Sequence, residues 1–227
     1  MHEYPNIPYT HPTYSPQEMV ARSSQFFTWM DSRRSVRMFS PDPIPEIVLQ
    51  NIIRTASTAP SGANLQPWTF CVVTDPKLKH QIRIAAEEEE KRSYTERMPQ
   101  EWLDHLAPLG TDWHKEFLEI APALIVIFKR NFEFTPEGQS NNYYVSESVG
   151  IATGMLLSAI HHAGLVALTH TPSPMNFLKD ILQRPANERP FLLVPVGKPH
   201  PETIVPAIKR KPLDKVMVWY GAASDKE

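Results

Sequence analysis

Arg33-Arg34-Ser35-Val36-Arg37 and Ala59-Pro60-Ser61-Gly62-Ala63-Asn64-Leu65-Gln66-Pro67-Trp68 bound the stretch whose reading decides the fold. The first segment packs three guanidinium groups and a hydroxyl into five residues. That is costly for a core and suited to an anion such as phosphate. Cations decorating a helix C-terminus account for one or two of these arginines more readily than for all three. In the second segment the small residues Ser61-Gly62-Ala63 let a planar ligand approach the backbone, and Gly62 can take a positive φ. A plain loop joining helix to strand is the competing reading. Between the clusters Pro45 opens a helix with Ile47, Val48, Ile52 and Ile53 on its buried side. One helix between them predicts that both clusters sit at neighbouring ends of one layer.

Outward from this stretch, prolines at 5, 8 and 12 make residues 1–14 an extended arm. Ser15-Pro16-Gln17-Glu18 reads as a capped helix start running to about Ser32. Trp68 to Val73 fits a buried strand, and Asp75-Pro76 caps a long polar helix through Glu87 to Glu90 and on toward Met98. With little apolar surface after Ile84, its distal half cannot be held mainly by the core. Residues 88–115 are therefore expected to form a mobile lid, against the alternative of an ordinary solvated helix and loop. Ala123 to Phe128 is an apolar strand buried on both faces. Residues 130–141 read as an exposed loop. From Asn142 to Ala163 runs the most apolar helix, expected to be enclosed by the sheet and another subunit and ended by Gly164. Strands at Leu165–Thr169 and Phe191–Val196 flank a short helix at Ser173–Leu182. After four further prolines, Val216-Met217-Val218-Trp219 has a strand pattern, expected to cross onto a partner and add an edge strand. The fold class is α/β (α+β): a mixed sheet around a buried central helix, in an intertwined homodimer. Residues 15–197 form the domain, with arms at 1–14 and 198–227.

A chain of 227 residues with 41% hydrophobic content can bury one sizeable core. The formal charge of -2 argues against nucleic acid as a partner. Cys71, the single cysteine, excludes an internal disulfide. Its place in Phe70-Cys71-Val72-Val73 favours a buried inert thiol over a nucleophile, as a reducing cytosol permits. No stretch reaches a membrane span, and Met1 to Tyr14 lacks the layout of a signal peptide, which predicts a soluble cytoplasmic protein. No Gly-rich fingerprint, P-loop, Gly-x-Ser-x-Gly or Cys-x-x-Cys is present. His161-His162 lacks the spacing that puts two metal ligands on one helix face, so capping or surface roles are expected and no metal. Glu90 and Tyr94, four apart on one helix face, and Lys115 beyond them form a trio. It offers an anion, a cation and a phenol, as an amino-acid zwitterion requires. A solvated charged face is the alternative.

Arg-Arg-Ser-Val-Arg, Ala-Pro-Ser-Gly-Ala and Gln-Pro-Trp occur in order with the acidic run 87–90, Tyr94, Lys115, Thr169-His170-Thr171 and Lys209-Arg210-Lys211-Pro212-Leu213-Asp214. Together they resemble the nitroreductase superfamily of FMN enzymes, and within it the iodotyrosine deiodinase (halotyrosine dehalogenase) family. The likeness spans residues 20–219. It implies that Arg33, Arg34, Ser35, Val36, Arg37 and Arg210 bind the FMN phosphate and ribityl chain. It also places Ser61 and Gly62 along the flavin, with Thr169, His170 and Thr171, and gives Thr171 a hydrogen bond to flavin N5. The Ala63 N–H is implied to hold the substrate phenolate, and Glu90, Tyr94 and Lys115 its zwitterion under a closing lid. His170 departs from the all-threonine triplet expected of vertebrate members. Vertebrate members also carry a membrane anchor, so the resemblance is to a soluble bacterial type. The implied reaction is FMN-dependent reductive dehalogenation of halotyrosines. NAD(P)H, directly or through a separate reductase, is the electron source. A general nitroreductase or quinone reductase would share the FMN residues without requiring the trio. A non-catalytic protein binding flavin or tyrosine derivatives is the reading from another class.

Overall fold

Ser15 opens the first helix as expected: its hydroxyl accepts the Glu18 N–H at 3.3 Å and the Glu18 carboxylate accepts the Ser15 N–H at 2.9 Å. The computed structural model describes residues 4–221, so the outer ends of both expected arms, 1–3 and 222–227, lie outside the described residues. Helix α1 (Pro16–Asp31) buries none of its side chains within the chain. Helix α2 (Glu46–Ser57) buries Leu49, Ile52 and Ala56. Ile47, expected on that face, is 53% exposed. Two positions turn about 200° around a helix, so a face centred on Leu49 leaves Ile47 on the opposite side.

Strand β1 (Trp68–Val73) leads to α3 (Pro76–Arg92), whose N-cap Asp75 accepts the Leu78 N–H at 2.9 Å. A π-helical turn at Ser93–Arg97, α4 (Gln100–Leu106) and α5 (Phe117–Ile120) follow. Then come β2 (Ala123–Arg130), a hairpin of β3 (Phe132–Thr135) and β4 (Gly138–Asn141), and α6 (Val145–His162). Strand β5 (Val166–Ala167), α7 (Asn176–Ile181) and β6 (Glu188–Gly197) complete the order. The sheet runs β1-β2-β6-β5 with antiparallel pairs. Its parallel element is the bridge from Ser35 to Ala167.

β2 alternates between two cores, which is why Ala123–Phe128 carries no polar residue. Ile125 and Ile127 pack with Val149, Ala152, Leu156 and Ile160 of α6. Leu124, Val126 and Phe128 pack on the other face with Ile82 and Ala86 of α3, Leu118 of α5 and Leu178 of α7. Gly164, at φ 74, ends α6. One expectation changes. Residues 130–141 are not a loop, because Phe132-Glu133-Phe134-Thr135 alternates with period two and Pro136-Glu137-Gly138 turns it back on itself. Val216–Trp219 pairs with no strand of its own chain among the described residues, and Val218 and Trp219 are exposed. Cys71 is half-buried, and burial pushes its thiol up, away from thiolate chemistry.

Beside its core contacts through Ile82 and Ala86, α3 is held by polar contacts to residues 111–121. The buried Lys79 ammonium donates to the Glu119 and Ala121 carbonyls, both at 2.8 Å. Arg83 lies 3.5 Å from the Glu119 carboxylate. Thus α3 and residues 111–121 run side by side, stitched at successive turns. Lys79→Met would leave two carbonyls at the end of α5 without a donor and lower stability by about 1–3 kcal/mol. A shift in the urea midpoint checks this; an unchanged midpoint would mean that water serves those carbonyls equally well.

Candidate active site

The arginine cluster is fixed by the strand-like segment after α1. Val36 is buried, and its N–H donates to the Ala167 carbonyl at 3.1 Å, which anchors the backbone and turns its neighbours outward. Arg34 donates to the Pro206 carbonyl. Arg210 is bound to the Asp31 carboxylate at 2.7 Å and donates to the Arg33 carbonyl at 3.0 Å. Arg33 and Arg37 have no acceptor or counter-ion among the described residues. Burial, then the Arg210 and Arg34 charges, pull the Arg33 guanidinium below its ordinary pKa, and burial does the same to Arg37. These groups line, with Ser35, Leu168, Thr169 and Ile208, a cleft of about 360 Å³. Half-buried cations repelling one another fit a dianionic phosphate ester, whose charge would relieve that repulsion.

Arg210 reaches this cleft on its own chain, because residues 200–206 run back along Met38, whose carbonyl accepts from the His200 N–H and the Thr203 hydroxyl, each at 3.1 Å. Residues 198–206 therefore lie against their own chain.

Thr169, His170 and Thr171 follow β5. His170 exchanges both backbone hydrogen bonds with Leu193, at 2.8 and 3.0 Å. The pleat consequently exposes Thr169 and Thr171 and turns His170 into the core. The His170 ring sits edge-on to Phe117, centroids 5.7 Å apart, with Nε2 unpartnered among the described residues, so its own contribution to the expected flavin site would come from its backbone. Burial above all, with the Lys115 and Arg37 charges, lowers its pKa to about 3, so the imidazole is neutral.

Loop 61–66 is held by its own backbone. The Asn64 N–H donates to the Ser61 carbonyl and the Leu65 N–H to the Gly62 carbonyl, both at 3.0 Å. The Ser61 hydroxyl accepts the Gln66 N–H at 2.9 Å, and the Gly62 N–H meets the Ser148 hydroxyl at 3.4 Å. Ser61 and Ala63 are the residues of this run whose N–H has no acceptor among the described residues, and of the two Ala63 is the exposed one. Ala63, Asn64 and Gln66 take φ of 48°, 56° and 50°. Left-handed conformations cost non-glycine residues on the order of 1–3 kcal/mol each. The loop thus holds strained backbone around the unbonded Ala63 amide.

The two clusters do not meet in one chain. Gly62 contacts Ser148 near the start of α6. Ser32, next to Arg33, contacts His161 Nε2 at 3.1 Å near its end. Those α6 residues are thirteen apart, about 20 Å at 1.5 Å per residue. The clusters therefore occupy opposite ends of α6 and not neighbouring ends of one layer. His161, expected as a cap, also lies 2.9 Å from the Trp29 carbonyl and stacks on that indole at 4.6 Å, closing the end of α1.

The trio does converge. Glu90 Oε2 lies 3.5 Å from Lys115 Nζ, with side chains 11% and 3% exposed. Lys115 also donates to the Asp112 carbonyl and lies 5.7 Å from the centre of the Tyr94 ring, and the Tyr94 hydroxyl donates to the Thr111 carbonyl at 3.3 Å. Lys115 sits in the turn before α5, not within a helix. Burial raises the Glu90 pKa and lowers that of Lys115 against their mutual attraction. Desolvation outweighs the pairing, so this contact holds no reserve of stability and is open to exchange with new partners. Glu87, which the sequence reading left within the acidic run, accepts the Lys115 N–H at 2.7 Å. Its signal was spacing, because 83, 87, 90 and 94 share one helical face.

Comparison with known proteins places these features. The nitroreductase family model matches residues 30–198. The chain is 61% identical over 215 residues to an iodotyrosine deiodinase of Haliscomenobacter hydrossis, covering 94% of this chain and 97% of that protein. It is 48% identical over 215 residues to human iodotyrosine deiodinase 1, covering 94% and 74%. A crystal structure of oxidized iodotyrosine deiodinase bound to FMN and 3-iodo-L-tyrosine superposes with a TM-score of 0.72 at 32% identity, over 86% of this chain and 98% of that one.

A Cβ at Gly62 would lie 2.8 Å from the Tyr143 carbonyl oxygen and 3.0 Å from the Tyr144 ring. Gly62→Ala should therefore push the loop off α6 and cost about 1–3 kcal/mol. A urea midpoint unchanged from wild type would show that the loop moves freely there.

Proposed function

The chain belongs to the nitroreductase family, in its iodotyrosine deiodinase branch, and on that premise we propose that it is an FMN-dependent oxidoreductase removing halide reductively from halotyrosines to give tyrosine. The observation that carries the reading is the buried pair Glu90 and Lys115 with half-buried Tyr94, facing the half-buried Arg37. Glu90 takes the substrate ammonium, Lys115 its carboxylate, and Tyr94 adds a phenol. The desolvated pair thereby exchanges one partner for two, which favours closure of residues 88–115 over the ligand. The Ala63 N–H donates to the substrate phenolate. FMN, when bound, supplies two electrons which, with one proton, convert the carbon–halogen bond to carbon–hydrogen and release halide. Arg33, Arg34, Ser35, Arg37 and Arg210 hold its phosphate and ribityl chain, with Val36 as backbone anchor. Ser61 and Gly62 lie along the flavin with Thr169, and Thr171 donates to its N5.

The working unit we propose is a homodimer in which the Ala63 loop of one subunit faces the Arg33–Arg37, Thr171 and lid side of the other. The separation along α6 supports it, as do exposed Phe26 and Phe27 on α1 and exposed Ile151 on α6. In that dimer residues 15–197 form the flavin domain, while arm 1–14 and the chain past Arg210 embrace the partner. There Val216–Trp219 can pair with β1, an edge of the sheet. Electrons come from NAD(P)H, directly or through a separate reductase. No helix among the described residues is long and apolar enough to cross a membrane. The lone thiol Cys71 suits a cytoplasmic site.

Anaerobic addition of 3-iodotyrosine to the chemically reduced holoenzyme should reoxidise the flavin with stoichiometric iodide and tyrosine. Lys115→Ala should abolish this. Rapid reoxidation by a nitroaromatic with no iodide would make the protein a general nitroreductase, and no reoxidation by either a binding protein. Glu90→Gln should weaken iodotyrosine binding by about 1.5–3 kcal/mol, one charge-assisted contact. The Glu90 pKa is raised, so binding should fall with decreasing pH from above the ordinary carboxylate range, as its protonated form loses the substrate ammonium. A titration in which Glu90→Gln keeps the same acid limb would assign that limb to another group. Sedimentation should give a dimer; a flavin-loaded monomer would refute the shared site.

A further inference from the structure

Glu87 lies one turn before Glu90 on α3, and it touches Lys115 at a different point. Its Oε1 accepts the Lys115 backbone N–H at 2.7 Å, while Arg83 Nε donates to the same oxygen at 2.9 Å. The Glu87 and Arg83 side chains are 12% and 24% exposed, so both sit partly out of water. Arg83 is braced in turn by Glu119 at 3.5 Å and Glu116 at 3.7 Å. Lys115 is consequently gripped twice by α3: at its peptide by Glu87 and at its ammonium by Glu90.

The two grips differ in what a ligand can do to them. Glu90 and the ammonium form the desolvated pair that an amino-acid zwitterion would part. The Glu87 bond to the Lys115 peptide competes with no ligand group and can persist when that pair opens. From this geometry we propose that Glu87, braced by Arg83, is a positioning residue that aims Lys115 at the substrate carboxylate and so sets selectivity for halotyrosine over simple halophenols. The inference rests on reading the trio as a zwitterion clamp. A purely structural staple between α3 and α5 would stabilise the fold without distinguishing between ligands.

The test compares 3-iodotyrosine with 2-iodophenol, which lacks the ammonium and carboxylate, by quenching of flavin fluorescence in the FMN-loaded protein. Glu87→Ala should raise the Kd for iodotyrosine about tenfold, as expected when a charged contact is misplaced, and leave that for iodophenol within about twofold. Glu87→Gln keeps an acceptor oxygen for the Lys115 N–H and should restore most of the preference. Arg83→Gln, which removes the brace and leaves the bond, should shift the preference the same way by a smaller factor, and it serves if Glu87→Ala does not fold. An unchanged ratio in Glu87→Ala or in Arg83→Gln overturns the proposal. So does equal loss of both ligands, or failure of Glu87→Gln to restore the ratio. A wild-type protein that binds the two ligands equally overturns the clamp reading as well, whereas loss of the ratio's dependence on Glu87 alone leaves that reading standing.

Discussion

The length of α6 constrains everything around it. It is a straight apolar helix lying across the central sheet, so whatever meets its first turn and whatever meets its last are held apart by its own rise. Gly62 is pinned to the first, and Ser32, through His161, to the last. An amide presented by a strained loop and a cluster of half-buried cations thus become features of two distant surfaces. Each surface is incomplete in the same sense, since the Ala63 amide on one and Arg33 and Arg37 on the other have no acceptor among the described residues. The same molecule leaves no residue of α1 fully buried and Val216–Trp219 exposed. Apolar faces and unmatched polar groups on one molecule are the complementary requirements of a site built between two copies.

The lid side obeys a different economy. α3 passes from a helix seated on the core by Ile82 and Ala86 to one held by charge alone. Lys79, Arg83, Glu87, Glu90 and Tyr94 meet residues 111–121 in turn. The contacts near the core are ordinary: a lysine on two carbonyls and an arginine on a carboxylate. Those at the far end are buried at a cost, with Glu90 raised and Lys115 lowered by desolvation. Binding energy from a ligand can therefore be delivered where the structure is least committed, while the inner rungs stay fixed. The π-helical turn at Ser93–Arg97 falls at that transition, as such turns often do at functional positions.

Much of this was legible in the sequence. The capping box at Ser15, the buried run Ala123–Phe128, the apolar helix ending at Gly164 and the Glu90–Tyr94 spacing each have a local cause, and local causes can be read from residue order. What escaped depended on distance or on a single phase angle. Ile47 was misassigned because an apolar run does not state which residue centres its face. The hairpin at 132–141 was read as a loop because its polar second strand carries little β-propensity, although its first strand alternates. The burial of the His170 side chain between exposed Thr169 and Thr171 follows from the pleat, which the triplet's composition does not state. The separation of the arginine and glycine clusters was invisible, because the helix linking them in sequence is α2 and the one that spaces them is α6.

The residues that break local rules also mark where the chain's own interactions end. Three left-handed non-glycine residues in one loop, two guanidinium groups with no acceptor, and an ion pair that loses more by burial than it gains are each unfavourable in isolation. A sequence under pressure only to fold would shed them: glycine at 63, 64 and 66, fewer arginines in 33–37, apolar residues at 90 and 115. Their energies have one sign, and a free amide, free cations and an exchangeable carboxylate–ammonium pair are complementary to a phenolate, a phosphate and a zwitterion. Under the proposed function these terms are recovered when those groups arrive together, so binding of substrate and of flavin should be coupled through the same side chains. Arg37 is where that coupling would be densest, because its charge reaches Tyr94, Lys115 and His170 while it lines the arginine cleft.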